Sequence, residues 1–177
     1  RSHFGGVPFA GSLLSPTTLA DNRTQPTFDR FMTMAINQVD VLKRPETRAM
    51  VTFGERRRDP VTSGSLANVP LAGFFKYGTT QPVVLASAWT RSPQAGVLLH
   101  NWTHTADQPA IPGGDQSITV TLDVADLGLS TTSPYFMNVI ESGIPGVVQT
   151  GPFILGASYP FSTTIKETTS KFVYFTP

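Results

Sequence analysis

VVLASAWTRSPQAGVLLHNWTHTADQPAIPGGDQSITVTLDV, residues 83–124, is the stretch from which the fold of this chain can be read. At its end Ile118, Val120, Leu122 and Val124 alternate with Thr119, Thr121 and Asp123. Period-two alternation puts the apolar residues on one face, so the spacing predicts a half-buried strand. Upstream, Val97, Leu98 and Leu99 lead into His100, Asn101 and Trp102, a run apolar on both faces at its start. Between Trp89 and Val97, Pro93 and Gly96 punctuate a short reversal, which predicts a hairpin. The whole stretch reads as three consecutive antiparallel strands that supply the core.

Working outward, residues 1–26 are broken by Gly5, Gly6, Pro8, Gly11, Pro16 and Pro26 and read as an extended arm or loop. Residues 27–45 read as one amphipathic helix. Phe28, Phe31, Met32, Ala35, Ile36, Val39 and Leu42 recur at three- and four-residue steps, Thr27 can cap the start, and Pro45 ends it. Residues 46–177 read as a β-sandwich domain, opening with a short strand at Arg48–Phe53 and a loosely started one within Leu66–Phe75. Tyr135–Glu141, Val147–Leu155 (interrupted at Gly151-Pro152), Phe161–Ile165 and Lys171–Phe175 complete the strands. Seven or eight short strands separated by turn residues predict a mainly β protein, an antiparallel sandwich preceded by an arm and one helix. A lone helix beside an all-β remainder needs an apolar partner for its stripe, and that partner can lie outside this chain.

Composition narrows function by exclusion. Of 177 residues 14% are charged, and the net charge is +1, so no strong field draws the chain to nucleic acid or an anionic membrane surface. No apolar run approaches the roughly 20 residues that span a bilayer, so a soluble protein is expected. The absence of cysteine removes disulfides, thiolate metal sites and a cysteine nucleophile. A Thr-, Ser-, Gly- and Pro-rich texture leans towards an extracellular or secreted protein. The chain begins with Arg1 and shows no signal peptide, as a mature product, a trimmed piece or a fragment would.

The order of elements resembles the C-terminal region of (β/α)8-barrel glycoside hydrolases. A helix followed by RAMVTFGERRRDP (Arg48 to Pro60) is similar to the last barrel helix and its exit into the next domain. The strand ending at Trp89, the strand ending in Asn101-Trp102-Thr103 and the QSITVTLDVADLGL run from Gln116 resemble that family's accessory sandwich, which KFVYFTP from Lys171 would close. The resemblance covers residues 27–177. It implies a non-catalytic sandwich that braces a catalytic barrel, with the arm and helix stripe bound to the remainder of a larger chain or a second subunit. The family's two catalytic carboxylates project from barrel strands that are not present here. No such role passes to Asp107, Asp115, Asp123, Asp126 or Glu141.

Other candidate chemistry is sparse. Trp89 and Trp102 could stack on a sugar ring with His100, Asn101 or Gln94 bonding hydroxyls, although tryptophans more often anchor a core. Asn22 and Asn101 begin Asn-x-Thr sequons that could carry N-glycans, a pattern that a Thr-rich chain also meets by chance. His100 and His104 are spaced for a metal, but only Asp107 is nearby as a third ligand, so no metal site and no cofactor are expected. Arg56, Arg57 and Arg58 could hold an oxyanion; beside Glu55 and Asp59 they read more simply as a solvated, locally paired face. Ser63-Gly64-Ser65 lacks the first glycine of a nucleophile elbow, and Gly113-Gly114 lacks the residues of a phosphate loop. No catalytic constellation emerges, and whether the parent is an enzyme is left open. Two further classes fit the same residues. One is a viral capsid, protruding or other structural sandwich, with a homo-oligomer laced by its arm. The other is a free-standing carbohydrate-binding module.

Overall fold

The computed structural model describes residues 26–64, 68–70, 80–105 and 113–177. The expected arm, apart from Pro26, falls outside these, as do Asn22 and Asp107. Two helices come first, α1 (Pro26–Leu42) and α2 (Pro45–Phe53). The strands are β1 (Glu55–Arg56), β2 (Val61–Gly64), β3 (Asn68–Pro70), β4 (Thr80–Pro82), β5 (Val84–Arg91) and β6 (Gln94–Asn101). After them come β7 (Gln116–Asp123), β8 (Pro134–Glu141), β9 (Val148–Ile154), β10 (Ser158–Ile165) and β11 (Ser170–Thr176). They form an antiparallel six-stranded sheet ordered β1-β5-β6-β11-β8-β9, a three-stranded sheet β10-β7-β2, and a β3-β4 ribbon.

The two larger sheets face each other as a sandwich. Val84, Ala88, Val97, Leu99, Val173 and Phe175 point inward from the large sheet, and Ile118, Val120, Leu122, Phe161 and Ile165 answer from the small one. Phe175 meets Tyr159 and Phe161 edge-on, with ring centroids 5.8 and 6.3 Å away, the arrangement that aromatic quadrupoles favour. On the outer face of the large sheet a second cluster, Leu98, Ile140, Phe172 and Tyr174, packs against Val41 of α1 and Met50 of α2. The molecule therefore has three layers: small sheet, large sheet, helices.

Three local expectations are corrected. The predicted strand at Arg48–Phe53 is helix α2. Pro45 sits in its first turn, where its missing N–H is harmless, Glu46 follows, and the Gly54 N–H closes the end on the Met50 carbonyl at 2.8 Å. Thr47 and Met50, three apart, are its buried face. A six-residue segment such as RAMVTF is too short to choose between the two periods unaided.

The third strand of the 83–124 stretch does not lie beside the second. β7 crosses to the small sheet, and β11 takes the place next to β6. Burial on both faces explains the exchange: β11 is enclosed along nearly its whole length and belongs at a centre, whereas β7 alternates buried and wetted residues and suits a sheet with one open face. The β5–β6 hairpin itself forms as expected, Arg91 pairing with Gln94 across Ser92-Pro93.

Gly96, read as part of that turn, lies inside β6 instead. A Cβ there would sit 2.6 Å from Phe172 Cζ and 2.9 Å from Tyr174 Cβ, so the missing side chain is the space in which the Phe172 ring rests. Gly96→Ala should therefore destabilise by about 1–3 kcal/mol through overpacking, overriding the roughly 0.5–1 kcal/mol that alanine normally gains over a strand glycine. A urea midpoint equal to or above wild type would contradict this.

The large sheet ends on β9, whose residues are almost all exposed. Its pairing with β8 shifts register between Tyr135 and Met137, beside Gly151 (φ 118°) and Pro152, which has no N–H to offer.

Candidate docking face and the polar seam beneath it

The helix expected from the sequence forms, and Met32, Ile36 and Val39 of its apolar stripe face outward, as a partner outside the chain would require. Met34, Gln38 and Val41 are buried against the sheet, and Asn37 and Leu42 are half-buried beside them. At 100° per residue Met32, Ile36 and Val39 fall on the opposite side, where they are 36%, 62% and 57% exposed. Phe28 and Phe31 fall outside the described side chains. Met32, Ala35, Ile36 and Val39 line a shallow groove with Asn37, Asp40, Lys43 and Gly143. Ile144, Val147 and Val148, in and after the β8–β9 turn, are exposed as well.

The C-terminal end of α1 is pinned to that turn. Asp40 Oδ2 accepts the Gly143 N–H at 2.9 Å, and its Oδ1 lies 2.9 Å from Lys43 Nζ. Arg44 donates from Nη2 to the Ile144 carbonyl at 3.1 Å. Lys43 and the Gly143 amide hold the Asp40 carboxyl below its usual range. The groove is thus apolar along its floor and has an internally neutralised ion pair at its rim.

Beneath α1 runs a seam of polar contacts. His100, on the outer face of β6, is 2% exposed; its Nε2 lies 2.7 Å from Gln38 Nε2 and its Nδ1 lies 2.9 Å from Ser170 Oγ. With the Gln38 amide nitrogen facing the ring, one assignment satisfies both contacts. Nδ1–H donates to Ser170, and the bare Nε2 accepts from the Gln38 amide, which makes the ring neutral. Asn37 adds a bond from Nδ2 to the Thr168 carbonyl at 3.0 Å. His100 and Ser170 form a serine–histidine pair, but one sealed beneath a helix, where no substrate reaches the hydroxyl.

The remaining candidates have local roles. Trp89 packs on the Val41–Phe172 cluster, with the Arg56 guanidinium 5.7 Å above its ring, and it donates Nε1–H to Ser87 Oγ at 3.3 Å. Trp102, half-buried, donates to the Pro82 carbonyl at 2.8 Å. The three residues named for carbohydrate contact are thus drawn apart: Trp89 and His100 lie under the helices, and Trp102 lies against β4.

Asn101 is 0% exposed and donates Nδ2–H to the carbonyls of Gly114 (2.9 Å) and Ile165 (3.3 Å). Its Oδ1 accepts from Thr103 N and Oγ1. The Asn-x-Thr spacing here builds an Asx turn, and the folded site has no room for a glycan on that nitrogen.

His104 lies apart from His100, 3.7 Å from Glu167. Arg56 pairs with Asp59 and Arg57 with Glu55. Asp115, Asp123 and Asp126 each accept a backbone N–H, and Glu141 sits 3.1 Å from the buried Lys171 ammonium. Among the described residues no three His, Asp or Glu side chains converge as metal ligands, and no helix is long and apolar enough to cross a membrane.

Compared with protein-family models, curated proteins and solved structures, the chain matches none. Gln38 and Ser170 escaped the sequence reading. Gln38 stands 62 residues from its partner along the chain, and no local pattern announces such a contact.

Proposed function

We propose that this chain is the non-catalytic C-terminal sandwich portion of a carbohydrate-active, glycoside-hydrolase-like protein, and that it braces the catalytic barrel with its helix layer. The observation that carries the reading is the outward apolar stripe Met32, Ile36 and Val39 on a helix whose other side is already packed. Apolar surface left in water forgoes about 25 cal/mol per Å² that a partner would recover. The internally neutral Asp40–Lys43 rim suits an apolar neighbour better than a charged one. Asp115, Asp123, Asp126 and Glu141 are each engaged in a local bond.

The natural material provides the first test. Intact mass and N-terminal sequencing should reveal a parent long enough to include a barrel; a 177-residue species that assembles only with copies of itself would replace this reading with that of a structural assembly protein. The second test uses Ile36→Asp with Val39→Asp. Both positions are exposed, so the melting temperature of the isolated chain should hold within about 2 °C, because surface substitutions usually change stability by no more than ±0.5 kcal/mol. Binding to the separately produced barrel should weaken at least about tenfold, the loss of some 1.4 kcal/mol. Unchanged binding would remove the stripe from the interface.

A further inference from the structure

α1 is attached to the sandwich by an unusually polar set of contacts. Among its described residues Met34 and Val41 are the buried apolar anchors, while Asn37, Gln38 and Asp40, with Arg44 just past its end, each bond to a strand or loop of the sandwich. The loop between β10 and β11 presents one of the acceptors, the Thr168 carbonyl. Thr168 holds φ at 56°, a left-handed value that a β-branched residue rarely adopts, and its N–H is fixed to the Thr103 carbonyl at 3.2 Å. That geometry aims the Thr168 carbonyl at Asn37, two residues before Ser170 takes the His100 proton in a hydrogen bond.

With the Gln38 amide nitrogen turned to the ring, His100 is accommodated as a neutral ring. A proton on Nε2 would face the Gln38 amide N–H groups. Rotating that amide would supply its oxygen, but no described carboxylate pairs with the ring. Most of the described charged groups on the surrounding elements are engaged elsewhere. On α1, Asp40 is held by Lys43 and Gly143, and Arg44 is turned to Ile144. On β11 and β8, Lys171 is bonded to Glu141, Thr163 and Thr164. Beyond β6, His104 lies beside Glu167, and on β5 Arg91 sits at the far end, over Phe53. Among the described residues, the inner core between the two sheets includes none from α1.

We propose that the Gln38–His100–Ser170 seam is an acid-operated latch: protonation of His100 releases α1 from the large sheet while the sandwich stays folded. Release would free the helix that carries the apolar stripe, so acid would alter the docking face without unfolding its support. The latch is independent of what covers that stripe.

Burial pushes the His100 imidazole down to about 4, opposed in part by its bond to the Thr169 backbone. A group whose folded pKa lies below its free value, here 6.5, contributes stability that is complete above pH 6.5 and is lost as the pH falls towards 4. With α1 open, the ring titrates freely, so acidification favours the open form.

Hydrogen exchange on the full chain, corrected for intrinsic rates, tests this between pH 7 and pH 4.5. Protection of amides 34–42 should fall by roughly 60-fold, the ratio that follows from the two pKa values, while β6, β7 and β11 keep theirs. In parallel, NMR should show the His100 ring titrating well below the free value of 6.5. In His100→Gln the pH dependence of α1 should disappear. Gln38→Glu, which sets a carboxylate against the ring, should reverse it, with protection rising as the pH falls through the imidazole range. The latch is overturned if α1 and the strands lose protection together, if His100 titrates near 6.5, or if either variant keeps the wild-type profile.

Discussion

Phe172→Ala should lower the unfolding free energy by about 3–5 kcal/mol, the largest effect expected of any single truncation in the helix–sheet layer. Phe172 is fully buried, lies stacked on Tyr174 at 5.3 Å with the rings 15° apart, and fills the hollow over Gly96. It stands on β11, hydrogen-bonded to a strand on either side, so the backbone cannot collapse into the space. For a chain of this size the loss corresponds to roughly 10–15 °C in melting temperature. The damage should begin in the outer layer: helical circular dichroism should fall before the sheet signal does, because Val41 and Met50 lose their floor. A variant that melts within 3 °C of wild type would show that this cluster does not hold the helices.

Asn101→Ala should cost on the order of 3 kcal/mol, since each buried polar group left without its partner forfeits about 1–3 kcal/mol. The carbonyls of Gly114 and Ile165 would lose a donor, and Thr103 N and Oγ1 an acceptor. Asn101→Asp should be worse, because a carboxylate cannot donate to two carbonyls and would be buried charged. Thr103→Val, which removes a single hydroxyl, should cost nearer 1 kcal/mol. Denaturant midpoints in this order are the expected result; an alanine variant as stable as wild type would mean that the turn is held by other contacts. Expressed in a eukaryotic secretory host, folded protein should carry no glycan on Asn101, and peptide mapping that finds one would refute the buried assignment.

Sequence exposed the elements of this fold better than their neighbours. The alternation through Ile118, Val120, Leu122 and Val124 settles that β7 is a strand with one wet face, because side-chain period is a local property. Which sheet it joins depends on β11, more than 40 residues further on, and on that strand's burial from both sides. The helix at residues 26–42 was legible from its spacing, yet the face it buries was not. Hydrophobicity alone chooses Met32, Ile36 and Val39, while the molecule buries Gln38 because His100 waits beneath it. Asn101 illustrates the same limit. A sequon and an Asx turn share one pattern of residues, and only the surrounding carbonyls tell them apart. Nothing along the chain marks His100 as a buried base, since its environment is assembled from α1, β6 and β11.

The two flanks of the large sheet differ in length but share an outcome. On one side Glu55 and Arg56 make a two-residue strand with charged side chains; on the other, Pro152 and the slipped pairing of β9 interrupt the ladder. Neither margin is a template on which a further strand could zip. Lateral strand addition at these two flanks of the large sheet is therefore disfavoured, and a neighbour that meets the molecule there is selected by side-chain shape and charge more than by bare backbone.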